Sequence, residues 1–258
     1  MDFVNITRKE FLSDALLYKY MTLESALITL DTKKLWFANP TTWKDPFEKR
    51  FIEAKYLDGK EEKEFKWKNR IFSICMSQTK VSEASWRIYS PDSIGVQLRI
   101  NRDVLLDELK KMEGDYNIYI GKAEYMKTDE ITRNLSAIPF NPPQRTSVNT
   151  DIYAARLFML KRLAFQYEDE IRIMLVKKDM KNPKYSKGIM MPYKCENTDL
   201  IQRIVLDPTI GKNTYNLIRD FLIKKYGFTS YKKEDKTMFN RVIQSSIYKN
   251  NSSQVIKF

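Results

Sequence analysis

Apolar and polar positions follow two periods along this chain, one typical of strands and one typical of helices. Runs rich in β-branched and aromatic residues predict strands at 15–21, 35–40, 70–78, 94–100, 117–126, 167–176, 201–208 and 241–248. Helical spacing predicts helices at 23–34, 82–90, 102–113, 151–165 and 213–227, with Thr22 capping the first. Because strands and helices do not alternate regularly, the pattern predicts a mixed α+β domain.

Two polar stretches interrupt the pattern. The stretch 138–149, IPFNPPQRTSVN, contains prolines and polar residues and predicts an exposed loop near 138–150. The stretch 41–51 predicts a polar turn, because a proline after Asp45 disfavours helical backbone at that residue. Neither has the character of a domain boundary, so we expect a single domain spanning 1–258.

Composition adds a sizeable core and a positive charge to this picture. Of the 258 residues, 43% are hydrophobic and 13% are aromatic, which suffices for a substantial globular core. The 45 basic residues exceed the 33 acidic ones, and the net charge is +12. This charge favours encounters with a polyanion such as nucleic acid, a nucleotide or an acidic protein.

The cysteines and the apolar runs predict the cellular compartment of the protein. Cys75 and Cys195 are far apart and lie in no paired motif, so neither a disulfide framework nor a cysteine metal site is indicated. Charges interrupt the N-terminal segment early, and no run approaches the roughly 20 apolar residues of a membrane span. We therefore expect a cytoplasmic protein without membrane attachment.

The missing residue types restrict the chemistry most. The chain has no histidine, which removes the commonest general base, Ser-His and Cys-His nucleophiles and every histidine-containing metal site. Its seven glycines are too dispersed for a GxGxxG or GxxxxGK loop. Any reaction must use carboxylates, lysine or arginine, hydroxyl groups and aromatic rings.

One stretch concentrates carboxylates, namely FQYEDEIR at 165–172. If it is a strand, Tyr167 and Asp169 point to one face, and Glu168, Glu170 and Arg172 point to the other. Arg172 would then tune or orient a neighbouring carboxylate. A lone Glu-x-Glu pair is also typical of a solvent-facing strand, so alternation alone does not decide between a surface and a reaction centre.

The wider pattern Lys161…Phe165-x-x-Glu168-x-Glu170-x-Arg172 resembles the last motif of a large bacterial family catalogued as a domain of unknown function, whose members look like distant ADP-ribosyltransferases. Further segments match that family in the same order: LYKYMT (17–22), LWFANPTTWKDPFE (35–48), ICMSQ to GVQLRIN (74–101) and IQRIVLDP (201–208). The resemblance implies a split β-sheet core with flanking helices. Phe165 stands where the family usually has tryptophan, and Lys19-Tyr20 stands where many ADP-ribosyltransferases have histidine or arginine.

The resemblance implies that NAD is the substrate and that no metal is needed. Cleavage of the nicotinamide–ribose bond develops positive charge on the ribose, which a carboxylate stabilises, and nicotinamide leaves as a neutral group. Glu170 is then the expected catalytic carboxylate and Glu168 its helper at the acceptor. The residues expected to bind NAD or shape its pocket are Lys19, Tyr20, Ser77, Trp86, Tyr89, Asp45, Glu48 and Arg172. Trp86 and Tyr89 lie one helical turn apart on a shared face, and for each of them a core position is favoured slightly over direct ligand contact.

The resemblance also implies a biological setting. Relatives often occur as toxins in phage-defence and toxin–antitoxin systems, so we expect a protein antitoxin, with a chaperone acting on that antitoxin. ADP-ribosyltransferases modify proteins, DNA or RNA. The positive charge favours a nucleic-acid acceptor, RNA ahead of DNA, with arrest of growth or translation as the result.

Two other functions remain open at this point. The first is a metal-dependent nuclease in which Asp45, Glu48, Glu168 and Glu170 surround magnesium. Pro91-Asp92 followed by Gln97-Leu98-Arg99 partly resembles the PD-(D/E)xK nuclease pattern, with arginine in place of the final lysine. The second is a noncatalytic nucleic-acid-binding or regulatory module.

Overall fold

The computed structural model describes residues 1–53, 55–58, 60–64, 69–137, 150–178, 186–232 and 237–248. The loop expected at 138–149 lies outside the described residues. None of the described helices is long and apolar enough to cross a membrane.

Up to residue 126 the elements are, in chain order, β1 (Asp2–Phe3), α1 (Arg8–Phe11), β2 (Leu16–Thr22), α2 (Leu23–Thr32), β3 (Lys34–Ala38), a 3-10 helix (Pro40–Thr42), α3 (Pro46–Glu53), β4 (Lys55–Asp58), β5 (Glu61–Glu64), β6 (Ile71–Ser77), α4 (Glu83–Tyr89), β7 (Gly95–Asn101), α5 (Arg102–Lys110), β8 (Tyr116–Lys122) and β9 (Glu124–Met126). After residue 126 they are α6 (Thr128–Ala137), α7 (Thr150–Leu157), β10 (Leu160–Arg162), a second 3-10 helix (Leu163–Glu168), β11 (Glu170–Lys177), β12 (Gly188–Pro192), α8 (Asn197–Leu200), β13 (Ile201–Leu206), α9 (Lys212–Tyr226), β14 (Thr229–Lys232), β15 (Thr237–Asn240) and β16 (Val242–Gln244).

The described strands assemble mainly into one ten-stranded mixed sheet. Its main path runs β1-β8-β11-β6-β2-β7-β13-β16, and β3 joins it by pairing with both β6 and β12. Three small two-stranded sheets stand apart, β9 with β10, β4 with β5, and β14 with β15. The helices accompany a mixed sheet, so the α+β prediction is confirmed.

The large sheet is held together weakly at its centre. Between β2 and β6, the described ladder consists of one pair, Tyr18 opposite Ser77. On either side the pairing is extensive, because β2 pairs with β7 from Leu16 to Thr22 and β6 pairs with β11 from Ile71 to Ser77. The sheet therefore consists of two well-paired halves that diverge beyond this junction, and the divergence leaves a cleft.

Both faces of β11 are buried. Ile171 and Ile173 pack into the larger core cluster on one face, while Met174 and Val176 pack with Phe158 into a second cluster on the other. A strand with two buried faces has a continuous apolar run rather than alternation. This explains the sequence of the strand and fixes its position in the middle of the first half of the sheet.

Local signals place α2 as the sequence predicts. The Thr22 hydroxyl accepts a hydrogen bond from the Ser25 backbone N–H at 3.2 Å and so caps the helix. Ala26 and Leu30, one turn apart, are buried. Lys33 adopts a left-handed conformation with φ of 51°, which ends the helix.

Most other elements agree with prediction, with bounds shifted by a few residues. This group comprises the strands expected at 15–21, 35–40, 70–78, 94–100 and 201–208 and the helices expected at 82–90, 102–113 and 213–227. The strand predicted at 241–248 is shorter and covers Val242–Gln244. It runs parallel to β13, and α9 lies between the two strands along the chain.

The single helix predicted at 151–165 is wrong. Helix α7 ends at Leu157, and Leu160–Arg162 forms β10. β10 pairs in parallel with β9, so the strand predicted at 117–126 is also divided, between β8 and β9. The residues Phe158 to Leu160 are buried without an exposed helical face, and pairing with a distant strand overrides their helical spacing.

The turn predicted at 41–51 is wrong as well. The segment contains the 3-10 helix at Pro40–Thr42 and helix α3, which begins at Pro46. Proline disfavours helix at the residue before it but suits the first helical position. The Asp45 carboxylate accepts a hydrogen bond from the Phe47 backbone N–H at 3.0 Å and so supports the start of the helix.

The buried side chain of Arg102 links the start of α5 to α1 and β2, and its contribution to stability can be tested. It is fully buried, donates to the backbone carbonyls of Phe11 and Leu16, and lies over the Phe11 ring. We expect Arg102→Met to lower the free energy of unfolding by about 3 kcal/mol in urea denaturation, since two buried carbonyls lose their donor.

The control is Arg87→Met, which removes an exposed arginine that pairs with Glu83 one helical turn away. This variant should unfold at the wild-type urea midpoint. Equal midpoints for both variants would show that Arg102 does not hold these elements together.

Candidate functional site

The cleft lies where β2 and β6 diverge. Its lining residues come from both strands, from α4 and from the segment that leads into β11: Tyr18, Lys19, Tyr20, Cys75, Met76, Ser77, Ser85, Tyr89, Glu168 and Glu170. The cavity is small, about 30 Å³, which suffices for water but not for a dinucleotide. A larger ligand therefore requires side chains at its mouth to move.

Glu170 begins β11 and is buried, with 5% of its surface exposed. Its Oε2 accepts hydrogen bonds from Arg172 Nε at 2.9 Å and from Lys161 Nζ at 3.1 Å. Burial by itself would raise the pKa of Glu170, but the charges of Arg172 and Lys161 outweigh it and lower the pKa to about 2. Glu170 is thus ionised at neutral pH in the wall of the cleft.

Arg172 holds the Glu170 carboxylate by an ion pair and is not itself part of the cleft lining. Its fully buried guanidinium forms ion pairs with Glu170 and with Glu48 of α3, and it donates to the Phe158 carbonyl at 2.5 Å. The Trp43 ring lies 4.6 Å from its guanidinium carbon. Burial opposes its charge, but Glu170 and Glu48 outweigh burial and raise the pKa of Arg172. The network fixes the Glu170 carboxylate from the side away from the cleft.

Glu168 ends the 3-10 helix and forms a short ion pair with Lys161. Burial raises the pKa of Glu168, Lys161 opposes that shift, and the neighbouring charge of Glu170 adds to it. Two carboxylates at one site therefore have pKa values displaced in opposite directions, Glu168 upward and Glu170 downward.

The strand predicted at 167–176 is wrong for its first three residues, because β11 begins at Glu170. The expected alternation of side chains between two faces therefore does not hold for residues 167–169. Glu168 belongs to the 3-10 helix, and Asp169 is left-handed with φ of 40°. This turn directs Asp169 away from the pair, toward an ion pair with Lys122 at 2.9 Å and a contact with Gln78. Glu168 and Glu170 nevertheless meet, because both reach the same ammonium group.

Lys161 is that shared partner, and sequence reasoning did not place it in the site. It lies in β10 and is buried at 6% exposure, with Nζ in contact with both carboxylates. Burial alone would lower the pKa of Lys161, but Glu170, Glu48 and Glu168 raise it instead. The available signal was a lysine inside the apolar run that precedes Phe165, since a lysine in such a run must be paired once it is buried.

Lys19 and Tyr20 form the opposite wall. Lys19 Nζ donates to the Cys75 carbonyl at 2.8 Å, which satisfies a backbone acceptor where the two strands no longer pair. The Tyr20 ring packs edge-on against Trp86, with 5.0 Å between centroids, and stacks on Tyr89 at 6.4 Å. The Tyr20 hydroxyl is buried beside the Gln97 side chain and the Ser82 backbone, and its contacts with the described residues fall short of normal hydrogen-bond geometry. Trp86 is buried behind Tyr20 and is not among the lining residues.

Neutral groups complete the surroundings of the two carboxylates. Burial, together with the charge of Glu170, raises the pKa of Cys75 to about 12, so its thiol stays protonated and is not a nucleophile. Burial and the nearby glutamates also raise the pKa of Tyr89. The Tyr125 hydroxyl, not anticipated from the sequence, accepts a hydrogen bond from the Glu170 backbone N–H at 2.9 Å. Ser77 Oγ accepts from the Thr79 backbone N–H at 3.0 Å.

Asp45 and Glu48 stand outside the cleft lining. Asp45 pairs with Arg162 at 2.9 Å, and Glu48 pairs with Arg172. In the described part of the chain, no group of three or more histidine, cysteine, aspartate or glutamate residues is arranged to hold a metal ion. The four carboxylates considered for a magnesium site are instead each paired with lysine or arginine, and these cations would repel a metal.

Residues 85–173 match the model of a family described as "Protein of unknown function (DUF2971)". The match covers about a third of the chain and includes Tyr89, Glu168, Glu170 and Arg172, whereas Lys19 and Tyr20 lie outside it. It supports the resemblance to a domain-of-unknown-function family. No curated protein and no solved structure matches the chain.

The electrostatics of Glu170 predict a pH dependence of stability. The pKa of Glu170 in the folded protein, about 2, lies below the ordinary 4.5, so the ionised group stabilises the fold above pH 4.5 and loses that contribution as the pH falls toward 2. We expect the free energy of unfolding of the wild-type protein to fall more steeply below pH 4.5 than that of Glu170→Gln. Urea denaturation at stepped pH measures both curves. Parallel curves would show that Arg172 and Lys161 do not hold this charge.

Proposed function

We propose that this protein is an NAD-dependent ADP-ribosyltransferase whose reaction centre is the pair Glu168 and Glu170. The observation that carries the proposal is geometric: two largely buried carboxylates share the ammonium group of Lys161 in the lining of one cleft. Their pKa values, displaced in opposite directions, support it. Carboxylate pairs whose environments separate their pKa values can divide the roles of ionised stabiliser and proton acceptor. The resemblance of FQYEDEIR and the upstream segments to ADP-ribosyltransferases supplies the reaction class.

Glu170 suits the first half of the reaction. The bond between the ribose carbon and the nicotinamide nitrogen breaks, and its electron pair leaves with nicotinamide, which becomes neutral. Positive charge develops on the ribose, and a carboxylate that is ionised at neutral pH and paired with Arg172 stabilises it. Since the leaving group needs no proton, the absence of histidine removes no required group.

Glu168 suits the second half. The acceptor oxygen or nitrogen forms the new bond to the ribose carbon and loses a proton, which a carboxylate with a raised pKa accepts more readily than one with an ordinary pKa. Lys161 contacts both carboxylates before substrate binds. It balances two buried negative charges that would otherwise repel each other.

The cleft offers groups that fit parts of NAD. Lys19 brings a positive charge, and Tyr89 presents a ring that is 41% exposed. Cationic groups and flat apolar surfaces are what a dinucleotide requires. Because the cavity is about 30 Å³, NAD entry requires displacement of the exposed Tyr89 side chain or its neighbours.

The proposed biological role is that of a cytoplasmic toxin in phage defence. Its acceptor is nucleic acid, RNA ahead of DNA, and its action arrests growth or translation. A protein antitoxin, with a chaperone acting on it, restrains the protein in the resting cell. These parts of the proposal rest on the resemblance and on the net charge of +12.

Replacement of the proposed catalytic carboxylate tests the reaction. With NAD labelled on its adenylate portion, Glu170→Gln should lower transfer of label by at least about 10²-fold, because one charge-stabilising group is lost at the transition state. Asp169→Asn is the matched control, since it makes the same chemical change one residue away, at a side chain paired with Lys122 outside the cleft. Asparagine also tolerates the left-handed backbone at that position.

Asp169→Asn should transfer label at the wild-type rate. Equal losses in the two variants would remove Glu170 from the reaction. Magnesium-dependent strand cleavage by the wild-type protein, with no transfer of label, would replace the proposal with the nuclease. Nucleic-acid binding with neither activity would replace it with the noncatalytic module.

The acceptor is tested with separated fractions. Wild-type protein incubated with labelled NAD and with RNA, DNA or protein from a lysate should label RNA most strongly, and Glu170→Gln should label each fraction at least about 10²-fold less. Scintillation counting of each fraction measures the result. Label confined to proteins would overturn the argument from net charge while leaving the reaction class intact.

A further inference from the structure

A row of one aromatic and two cationic side chains lies on the sheet face beside the cleft. Tyr18 of β2 stands directly opposite Arg99 of β7, and Arg99 stands opposite Arg203 of β13. Residues opposite each other in neighbouring strands share a face. We name Tyr18, Arg99 and Arg203 the arginine row.

Neither arginine of the row has an anionic partner in the described part of the chain. Arg99 donates from Nε to the Gln97 side chain at 3.2 Å, and no described carboxylate pairs with it or with Arg203. Burial, followed by repulsion from Arg203, lowers the pKa of Arg99. Arg203 also faces the charge of Arg241 on its other side.

The row differs from the arginines that build the reaction centre. Arg172 and Arg162 are each neutralised by carboxylates of the fold. Arg99 and Arg203 instead place two half-buried guanidinium groups side by side, which costs free energy through mutual repulsion. An external anion between them would relieve that repulsion, and guanidinium groups bind phosphate oxygens through paired N–H donors.

Tyr18 connects the row to the cleft. Its half-buried side chain lines the cleft, and the Arg99 guanidinium carbon lies 6.0 Å from the centre of its ring. Neighbouring strands are about 4.8 Å apart, so the row extends roughly 10 Å from the edge of the cleft across two strand spacings. A chain molecule that contacts Arg203 and Arg99 in turn would be directed over Tyr18 toward Glu168 and Glu170.

We propose that the arginine row binds the phosphodiester backbone of single-stranded nucleic acid and directs one nucleotide into the cleft. The direction of this path rests on the proposed function, whereas the binding itself does not. Arg99 and Arg203 contact successive phosphates, and the Tyr18 ring stacks on a base, as in other single-strand sites that combine a basic track with aromatic rings. A narrow cleft admits a base only when that base is unpaired.

Fluorescence anisotropy with short labelled RNA and DNA oligonucleotides of mixed sequence, without NAD, tests the row across a range of salt concentrations. Arg99→Gln/Arg203→Gln should bind more weakly, and the slope of log affinity against log salt should fall in magnitude by about 1.4, since each phosphate contact to a single strand contributes about 0.7. Arg99→Lys/Arg203→Lys keeps both charges and should retain most of the slope.

The matched control is Arg8→Gln/Lys9→Gln, which removes the same charge from exposed residues of α1. Its slope should remain that of the wild-type protein. Equal losses of slope in the two glutamine variants, or duplex binding as strong as single-strand binding, would overturn the proposal. The proposal would also be overturned if Arg99→Gln/Arg203→Gln weakened NAD binding but left oligonucleotide binding unchanged, because the row would then hold the dinucleotide.

The row and the reaction centre are tested separately. Glu170→Gln keeps Arg99 and Arg203 and should bind oligonucleotide with the wild-type slope even though it transfers little label. Loss of transfer without loss of binding supports both proposals. Normal transfer and normal oligonucleotide binding by Arg99→Gln/Arg203→Gln would overturn the row alone.

Discussion

The buried ion pairs of Arg172 are the interaction on which the rest of the site depends. A guanidinium group without solvent is tolerated only when anions and carbonyls satisfy it, and here Glu170, Glu48 and the Phe158 carbonyl do so. These partners come from β11, from α3 and from the segment that precedes β10. One side chain therefore joins three parts of the chain and fixes the carboxylate that faces the cleft. Lys161 completes the network by contacting both Glu170 and Glu168.

The cleft itself follows from the way the sheet is built. β2 and β6 meet at one described pair and then separate, so the backbone beyond the junction needs other partners. Lys19 provides one by donating to the Cys75 carbonyl. A gap in a ladder is costly unless side chains or ligands satisfy its polar groups, and the buried Tyr20 hydroxyl remains without a hydrogen bond of normal geometry to the described residues. The strands thus create a place where polar groups converge away from bulk water.

Charged side chains around the cleft are arranged in two contrasting ways. The carboxylates of the proposed reaction centre are balanced by lysine and arginine within the fold, whereas the arginine row has no anionic partner among the described residues. In the proposed reaction the balanced network holds a fixed negative charge for a cationic transition state. In the proposed binding track, the unbalanced row would attract a polyanionic acceptor. A net charge of +12 is compatible with both, but only their positions distinguish a reaction centre from a binding track.

The sequence by itself determined the elements with strong local signals, such as α2 with its Thr22 cap, and it singled out Glu168 and Glu170 as candidates without giving the correct geometry for their meeting. It also excluded histidine chemistry. Only the tertiary structure decided that Leu160–Arg162 is a strand, that Lys161 joins both glutamates, and that Arg172 has Glu48 as a partner 124 residues away. Caps and periodicity act over a few residues, whereas strand pairing and buried ion pairs depend on which distant segments meet. The ionisation of a buried group follows from those neighbours rather than from the residues beside it in the chain.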